Sequence, residues 1–287
     1  MDTINFRLGT TSYIIPDEII PNVRYLGSKV EDIELVLFEV DEGPSNLLTP
    51  AQQAALASLA QQHGISYTVH LPLDLNLAED ATTRDISFSK AKKAIDCTLG
   101  LGPWAYVLHL EGKERLAGKQ SKEDWLKKAL EGLAQLSEWV GDPSLLAVEN
   151  VDHYPPDFID EVFAHSQVSR CIDIGHLWLE GYDPIPFLEK NIDRARVLHI
   201  HGIGERDHKS LMHVEMEELK RVLGFVQKSG FDGVMTIEVF NEEDFATSIL
   251  QLECAFRQLN LQVLPQKGER IKPAKYHRDL YDSIGEG

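Results

Sequence analysis

The chain has 287 residues, 43% of them apolar, so it is long and apolar enough to bury a large core. Its net charge of −18 argues against a protein that wraps duplex DNA, which normally needs a basic face. The three cysteines, Cys97, Cys171 and Cys254, lie far apart without a C-x-x-C pair, which argues against a disulfide framework and a thiolate zinc site. The sequence has neither a basic and apolar leader nor an apolar run of about 18 residues, so we expect a cytoplasmic protein without a membrane partner.

Strand-like and helix-like segments alternate along the chain. Strands are predicted at residues 6–13 and 34–40, and at six short apolar segments that end at or near positions 70, 109, 149, 173, 201 and 238. Helices are predicted at about residues 50–63, 87–99, 121–140, 156–165, 184–190, 214–228 and 242–259. Thr49 suits the N-cap of the first of these helices and Gly64 its end, whereas Pro16, Pro21 and Gly27 make the connection after the first strand irregular.

This alternation predicts parallel strands joined by right-handed crossovers, and eight such strands predict a single α/β domain, a (β/α)8 TIM barrel. We assign the barrel to residues 1–263 and a C-terminal extension to residues 264–287. Between positions 267 and 278 the extension has five Lys and Arg residues and one acidic residue, which is unusual in so acidic a chain. This segment is expected either to remain solvated or to fold over the mouth of the barrel.

The six later strands each end on a residue type that binds metal ions. These residues are, in order, His70, His109, Glu149, Asp173, His201 and Glu238, and His176 and His208 follow nearby. A parallel barrel gathers the carboxyl ends of its strands at one mouth, so we expect these side chains to meet there. Each has a simpler explanation on its own, such as a capping histidine or a turn at Gly175, but six equivalent placements argue against coincidence.

Imidazoles and carboxylates without thiolates are typical ligands of zinc, manganese and iron. One ion needs about three or four such groups, and eight groups suffice for several ions that share bridging carboxylates. We therefore predict two or three divalent ions per chain, with Zn²⁺ first and Mn²⁺ or Fe²⁺ as alternatives. His199 and His201 share one face of their strand; we expect His201, at the tip, to be the ligand and His199 to lie one layer lower or to support it.

This pattern resembles the xylose-isomerase-like barrel superfamily, which includes sugar isomerases and epimerases and the endonuclease IV type of abasic-site enzyme. The single-metal site of the epimerase branch is similar to the subset Glu149, Asp173, His201 and Glu238. The full set of eight looks like the three-zinc site of the endonuclease IV branch. That resemblance implies one ion on His70, His109 and Glu149, a second on Glu149, Asp173, His201 and Glu238, and a third on His176 and His208.

The loop after the seventh strand departs from the endonuclease IV branch. The pattern of that branch has Asp-x-His in this loop, but here Arg206 stands where the Asp would be and Asp207 lies next to His208. The number of ions therefore stays open at two or three.

The N-terminal part has a closer resemblance. Residues 9–17 (GTTSYIIPD), 22–26 and 30–39, with residues 70–74 and Glu149-Asn150, are similar to the cobamide-remodelling phosphodiesterases of this superfamily. The resemblance implies a hydrolase that cleaves the nucleotide loop of a cobamide, so that the lower ligand of the corrinoid can be exchanged. We expect a metal-activated water as the nucleophile, with two catalytic carboxylates: Glu149 to bridge ions, and Glu238 to bind an ion and help deprotonate the water.

Three other interpretations stay open. A sugar isomerase or epimerase would need one ion and would use Glu149 and Glu238 as an acid and base pair. The acidic net charge argues against an abasic-site endonuclease. A barrel that merely binds a corrinoid or a sugar would show no turnover. We expect a small molecule as the partner, and neither nucleic acid nor a membrane. Candidates for the pocket walls, all near strand ends, are Tyr13, Trp104, Tyr154, Trp178 and Phe240.

Overall fold

The computed structural model describes residues 2–39 and 45–262. The predicted extension, residues 264–287, therefore lies outside the described residues, as does Val40 at the end of the predicted second strand. No helix in the described part of the chain is both long and apolar enough to cross a lipid bilayer.

Eight parallel strands form a closed barrel in which each strand pairs with the next one in sequence and the last pairs with the first. The strands are β1 Arg7–Thr11, β2 Asp32–Val36, β3 Ser66–His70, β4 Tyr106–Leu108, β5 Leu146–Glu149, β6 Ser169–Asp173, β7 Ala195–Ile200 and β8 Val234–Ile237. The predicted (β/α)8 fold is confirmed. Outside the barrel, Asp2–Thr3 pairs in parallel with Leu261–Gln262.

Helices connect these strands and flank the barrel. They are α1 Ile19–Leu26, α2 Pro50–His63, α3 Ala81–Asp96, α4 Lys113–Leu116, α5 Lys122–Val140, α6 Asp160–His165, α7 Ile174–Leu179, α8 Pro184–Asn191, α9 Met216–Ser229 and α10 Glu242–Gln258. The longer helices bury one apolar face; in α9 this face consists of Leu219, Val222, Leu223 and Val226, at the spacing of a helical turn.

The ends of two long helices have the caps that the sequence predicts. Thr49 Oγ1 accepts a hydrogen bond from the Gln52 N–H, and Gln52 Oε1 accepts one from the Thr49 N–H, so α2 begins with a capping box. Gly64 follows the last residue of α2 in the left-handed conformation, with a φ of 70°. The helix predicted at residues 121–140 is confirmed as α5, between Ser121 and Gly141.

Some helix boundaries differ from the prediction. α3 begins at residue 81 rather than near residue 87, because Asp80 accepts hydrogen bonds from the N–H groups of Thr82 and Thr83. α6 is shorter than predicted, because the chain first makes a turn closed by a hydrogen bond from the Phe158 N–H to the Pro155 carbonyl oxygen. The short helices α4 and α7 were not predicted, and α7 begins directly after β6.

The interior of the barrel has an apolar lower layer. It consists of Val107, Ala147, Cys171 and Val197. The first three each lie two residues before a predicted metal ligand, and Val197 lies two residues before His199. Trp104 lies below them, near the amino ends of the strands, with the guanidinium groups of Arg7 and Arg196 each 4.1 Å from its ring centroid. The sequence analysis grouped Trp104 with the candidate pocket walls, but this residue lies at the opposite end of the barrel, because it precedes β4 rather than following it.

Candidate metal centre

The eight predicted residues meet at the carboxyl end of the barrel. His70, Glu149 and Asp173 are the last residues of β3, β5 and β6, and one residue beyond β4, β7 and β8 stand His109, His201 and Glu238. His176 lies in α7 and His208 in the loop after β7. These eight residues and His199 form three groups in which the candidate ligand atoms lie within 4.8 Å of one another.

The first group is His70, His109 and Glu149. The Nε2 atoms of His70 and His109 lie 3.4 and 3.3 Å from Glu149 Oε2. His70 Nδ1 donates a hydrogen bond to the carbonyl oxygen of Leu71 at 2.8 Å, which leaves Nε2 free to bind an ion. Glu149 and His70 are buried, whereas His109 is partly exposed.

The second group is Glu149, Asp173, His199 and Glu238, all of them buried. His199 Nδ1 lies 3.5 Å from Glu149 Oε1, 3.8 Å from Asp173 Oδ2 and 3.0 Å from Glu238 Oε2. Glu149 therefore belongs to both groups, with Oε2 facing the first and Oε1 facing the second. This is the arrangement of a carboxylate that can bridge two cations.

The third group contains three histidines, His176, His201 and His208. The rings of His201 and His208 stack with their centroids 4.5 Å apart, and the ring of His176 meets them at 76° and 88°. This group adjoins the second, because His201 Nε2 is 3.4 Å from Asp173 Oδ1 and His208 Nε2 is 3.5 Å from Glu238 Oε2.

The structure places His199, not His201, among the three carboxylates, although His201 stands above His199 at the end of β7, as predicted. His201 was expected to bind an ion with the carboxylates, but His199 is the register partner of Asp173 across β6 and β7, so these two lie at the same height. His201 is two residues further along the strand direction, about 7 Å higher, and joins the third group. The third group therefore has three imidazoles. The endonuclease IV pattern has an Asp in the following loop where this chain has Arg206.

Asn150 and the start of α7 fix the positions of Asp173 and His176. Asn150 Nδ2 donates to the Asp173 carbonyl oxygen, and the Asp173 N–H donates to Asn150 Oδ1, both at 2.9 Å. Asp173 Oδ1 caps α7 by accepting from the His176 N–H, and His176 Nδ1 donates to the Asn150 carbonyl oxygen. Residue 175 must be glycine, because a Cβ atom on Gly175 would lie 2.2 Å from His201 Nε2.

The carboxylates stabilise positive charge on the histidines around them. Burial lowers the pKa of His70, but the Glu149 carboxylate, 3.4 Å from its Nε2, and the other nearby negative charges outweigh burial and raise that pKa to about 9. Burial also lowers the pKa of His208, but the Glu238 carboxylate, 3.5 Å from its Nε2, outweighs burial and raises that pKa to about 10. Burial raises the pKa of Glu149 and of Glu238, yet the imidazoles, His199 foremost, hold both well below the usual range.

Several polar atoms of the centre are buried without a hydrogen-bond partner among the described residues. They are Glu149 Oε2, Asp173 Oδ2, His199 Nδ1, His201 Nε2 and Glu238 Oε2. Buried polar atoms without partners cost free energy, and native proteins contain few of them. Because these atoms are imidazole nitrogens and carboxylate oxygens that converge, the residues fit divalent cations such as Zn²⁺, Mn²⁺ or Fe²⁺.

Two further side chains at the centre were not assigned to it from the sequence. Cys171 lies beside Glu149 and His199, but burial raises the pKa of its thiol well above the usual value, and a neutral thiol is a weak ligand. Glu34, in β2, is completely buried, and His199 Nε2 lies 3.0 Å from its Oε2. The sequence feature that could have identified Glu34 is its position: it is an acidic residue two positions after Asp32, on the same face of an otherwise apolar strand.

A family model described as xylose isomerase-like TIM barrel matches residues 28–258, which is most of the chain. The chain belongs to this family. No curated protein matches it. The family assignment agrees with the barrel and with the position of the candidate centre at the carboxyl ends of its strands.

Solved structures with the same fold include proteins of different activities. A D-tagatose 3-epimerase-like protein is 21% identical with a TM-score of 0.72, over 89% of this chain and 98% of that one. Endonuclease IV from Thermus thermophilus is 20% identical with a TM-score of 0.67, over 86% and 99%. The IolI protein, solved with a bound zinc atom, is 17% identical with a TM-score of 0.66, over 88% and 99%. These likenesses show the fold.

Binding of a divalent cation should release protons at neutral pH. The raised pKa values of about 9 for His70 and about 10 for His208 mean that, at neutral pH in the metal-free protein, both rings are positively charged with a proton on each nitrogen. A histidine must lose one of these two protons to bind an ion. The apparent affinity for Zn²⁺ should therefore rise as the pH rises towards those values and fall as the pH decreases. Titration calorimetry in two buffers with different heats of ionisation measures the released protons; heats independent of the buffer would contradict this expectation.

The substitution Gly175→Ala should remove His201 from the third group, because the new Cβ would overlap its ring. We expect a lower content of bound Zn²⁺ per chain by elemental analysis after dialysis. Gly224→Ala is the matched control, because Gly224 lies in α9 and a Cβ there would meet only Leu259, at an ordinary 3.8 Å. Equal metal content in the two variants would show that His201 is not needed for binding.

Proposed function

We propose that this protein is a metal-dependent hydrolase that cleaves the phosphodiester in the nucleotide loop of cobamides, with a metal-activated water as the nucleophile. The main support is Glu149, whose two oxygens face two different groups of ligating atoms. A centre of this form suits two or three neighbouring ions better than one. Neighbouring cations are the usual device for displacement at phosphorus, where attacking and leaving oxygens both carry negative charge.

The residues outside the second group also support hydrolysis. A single ion on Glu149, Asp173, His199 and Glu238 would be fully liganded without the five histidines of the other two groups. When bound, divalent cations lower the pKa of water towards neutrality and offset charge on a phosphate. Glu238 Oε2 lies 3.0 Å from His199 Nδ1 and 3.5 Å from Nε2 of the partly exposed His208, and we assign Glu238 to bind an ion and to help deprotonate the attacking water.

The side chains on one side of the barrel mouth favour a bulky, largely apolar substrate. Large apolar side chains that are between 39% and 57% exposed follow β2, β3 and β8, namely Phe38, Leu73 and Phe240. Tyr13 follows β1, between β8 and β2, and its ring centroid is 6.4 Å from that of Phe38. The ring of Phe240 is 5.3 Å from that of His208. Exposed apolar side chains grouped beside a polar centre are typical of a ligand site, and here they suit a corrin ring whose phosphodiester reaches the ions.

Other candidate wall residues are bound to the protein itself. Trp178 Nε1 donates to Glu218 in α9, and Tyr154 donates to Glu111 while it packs on Phe158. These side chains support the surrounding loops and helices. Tyr13 Oη also accepts a hydrogen bond, from Asn46 Nδ2, but its ring packs on the exposed Phe38, so Tyr13 and Phe240 remain in the proposed substrate surface.

A sugar epimerase is the second candidate, and the second group favours it. Glu149, Asp173, His199 and Glu238 by themselves form a four-ligand site for one ion, with two glutamates that can act as acid and base on opposite sides of a ketose. A structure named as a D-tagatose 3-epimerase-like protein and one named as a D-psicose 3-epimerase share the barrel. The number of ions per chain distinguishes the candidates: one favours epimerisation, and two or three favour hydrolysis.

Zn²⁺-reconstituted protein should remove the lower ligand from pseudocobalamin or cobalamin, with the products identified by mass. Glu149→Ala should abolish this turnover, because it removes the carboxylate common to two groups. His165→Ala, an exposed histidine on α6, is the matched control and should retain activity. Absence of product from every cobamide, together with epimerisation of a ketose by protein with one ion, would replace this proposal by the second candidate.

Truncation of the apolar side of the mouth should weaken cobamide binding without impairing the chemistry. Phe38→Ala and Leu73→Ala should each raise KM for the cobamide about 5- to 30-fold, equivalent to about 1 to 2 kcal/mol of lost apolar contact. Hydrolysis of bis(p-nitrophenyl) phosphate, which is too small to reach these residues, should be unchanged. Leu99→Ala is the control, because Leu99 is similarly exposed but precedes β4 at the other end of the barrel. Equal KM values would exclude this surface as the corrin site.

A further inference from the structure

A buried carboxylate from β2 contacts the centre from across the barrel. Glu34 is completely buried, and its Oε2 accepts a hydrogen bond from His199 Nε2 at 3.0 Å. β2 and β7 are not neighbours; β8 and β1 lie between them in the closed sheet, so this pair spans the barrel interior. Glu34 belongs to none of the groups of candidate ligand atoms.

The hydrogen bond determines which nitrogen of His199 can bind an ion. A carboxylate only accepts hydrogen bonds, so Nε2 must carry the proton. In the neutral ring Nδ1 then has a free lone pair, and Nδ1 is the atom that faces the oxygens of Glu149, Asp173 and Glu238. Without Glu34 the proton could occupy either nitrogen, and the ring could rotate out of this orientation.

We propose that Glu34 is a positioning residue that fixes the ring and the tautomer of His199 and thereby increases the affinity of the second group for its ion. A carboxylate hydrogen-bonded to a ligand histidine also makes the imidazole a better electron donor to a cation. The proposal concerns metal binding and does not depend on whether a phosphodiester or a sugar reacts at the centre.

The local environment of Glu34 argues against a purely structural role. Within the described residues, Glu34 Oε1 is buried without a hydrogen-bond partner. A buried carboxylate with an unpaired oxygen is unfavourable. Three other carboxylates already face His199, so in the metal-free protein Glu34 adds a further negative charge to a site that has several, and its loss leaves His199 with other charged partners. Asp32, two residues earlier on the same face, also has one buried oxygen without a partner among the described residues, Oδ1. The two acids differ in what they bind: Asp32 Oδ2 accepts from Ser66 Oγ at 2.6 Å and Arg7 in turn donates to Ser66, at the amino end of the barrel, whereas Glu34 binds a histidine of the centre. A benefit at the metal centre explains why an acid stands at position 34.

Two variants test the proposal, and neither changes a candidate ligand. Glu34→Leu removes the acceptor, and Glu34→Gln retains an amide oxygen that can accept from His199 but has no charge. Bound Zn²⁺ per chain is measured by elemental analysis after equilibrium dialysis over a range of free Zn²⁺, and Co²⁺-loaded protein is compared by visible absorption. Thermal unfolding of the metal-free protein reports on any structural role, with Asp32→Asn as the matched control.

We expect Glu34→Leu to weaken the binding of one ion by about 10- to 100-fold and to change the Co²⁺ spectrum. Glu34→Gln should give a smaller loss, and metal-free Glu34→Leu should melt at the wild-type temperature or higher. Asp32→Asn should lower the melting temperature and leave the metal affinity unchanged. Wild-type affinity and spectrum in both Glu34 variants would overturn the proposal, as would a loss of affinity equal to that of Asp32→Asn. If Glu34→Leu does not fold, the comparison of Glu34→Gln with wild type decides alone.

Discussion

Three buried carboxylates, those of Glu149, Asp173 and Glu238, place oxygens within 4.8 Å of one another and of His199 Nδ1. Negative charges this close and shielded from water repel strongly unless positive charge lies among them. In the metal-free protein the histidines provide this charge, which is why the pKa values of His70 and His208 are raised. Divalent cations provide the same compensation with more charge at shorter distance. The repulsion between the carboxylates thus favours the binding of cations, and in the metal-free protein it favours the protonated form of the neighbouring histidines.

The barrel concentrates this charge through strand alternation. On four strands the residue two positions before a residue of the centre is apolar and buried in the interior; Val107, Ala147, Cys171 and Val197 there form an apolar layer. Thr68 and Thr236 stand at the equivalent positions of β3 and β8. That layer keeps the local dielectric low beneath the centre, which strengthens both the repulsion and the attraction to cations. Structurally similar proteins with epimerase and endonuclease names share this barrel, so the barrel alone does not determine the reaction.

The strand tips could be predicted from the sequence because an apolar run that ends on His or Glu is a local pattern, and the fold then brings the tips together. The caps of α2 were equally local. The order of His199 and His201 along β7 was predicted correctly, but which of them lies level with Asp173 was not, because alternation assigns both to one face and only the register between β6 and β7 shows that it is His199. α7 is too short for a helical period. Trp104 precedes the strand predicted to end at His109, so the sequence already contained the information that this residue lies at the amino end of the barrel. Glu34 was missed because its partner is 165 residues away.

The apolar floor leaves the mouth as the open side of the centre. An ion that entered there would pass the partly exposed His208 before it reached the buried oxygens around His199. An ion held among those oxygens would therefore exchange with solution more slowly than one held at His208. Chelators would strip the protein from the outside inwards, leaving a partially loaded species whose remaining cation is kinetically trapped.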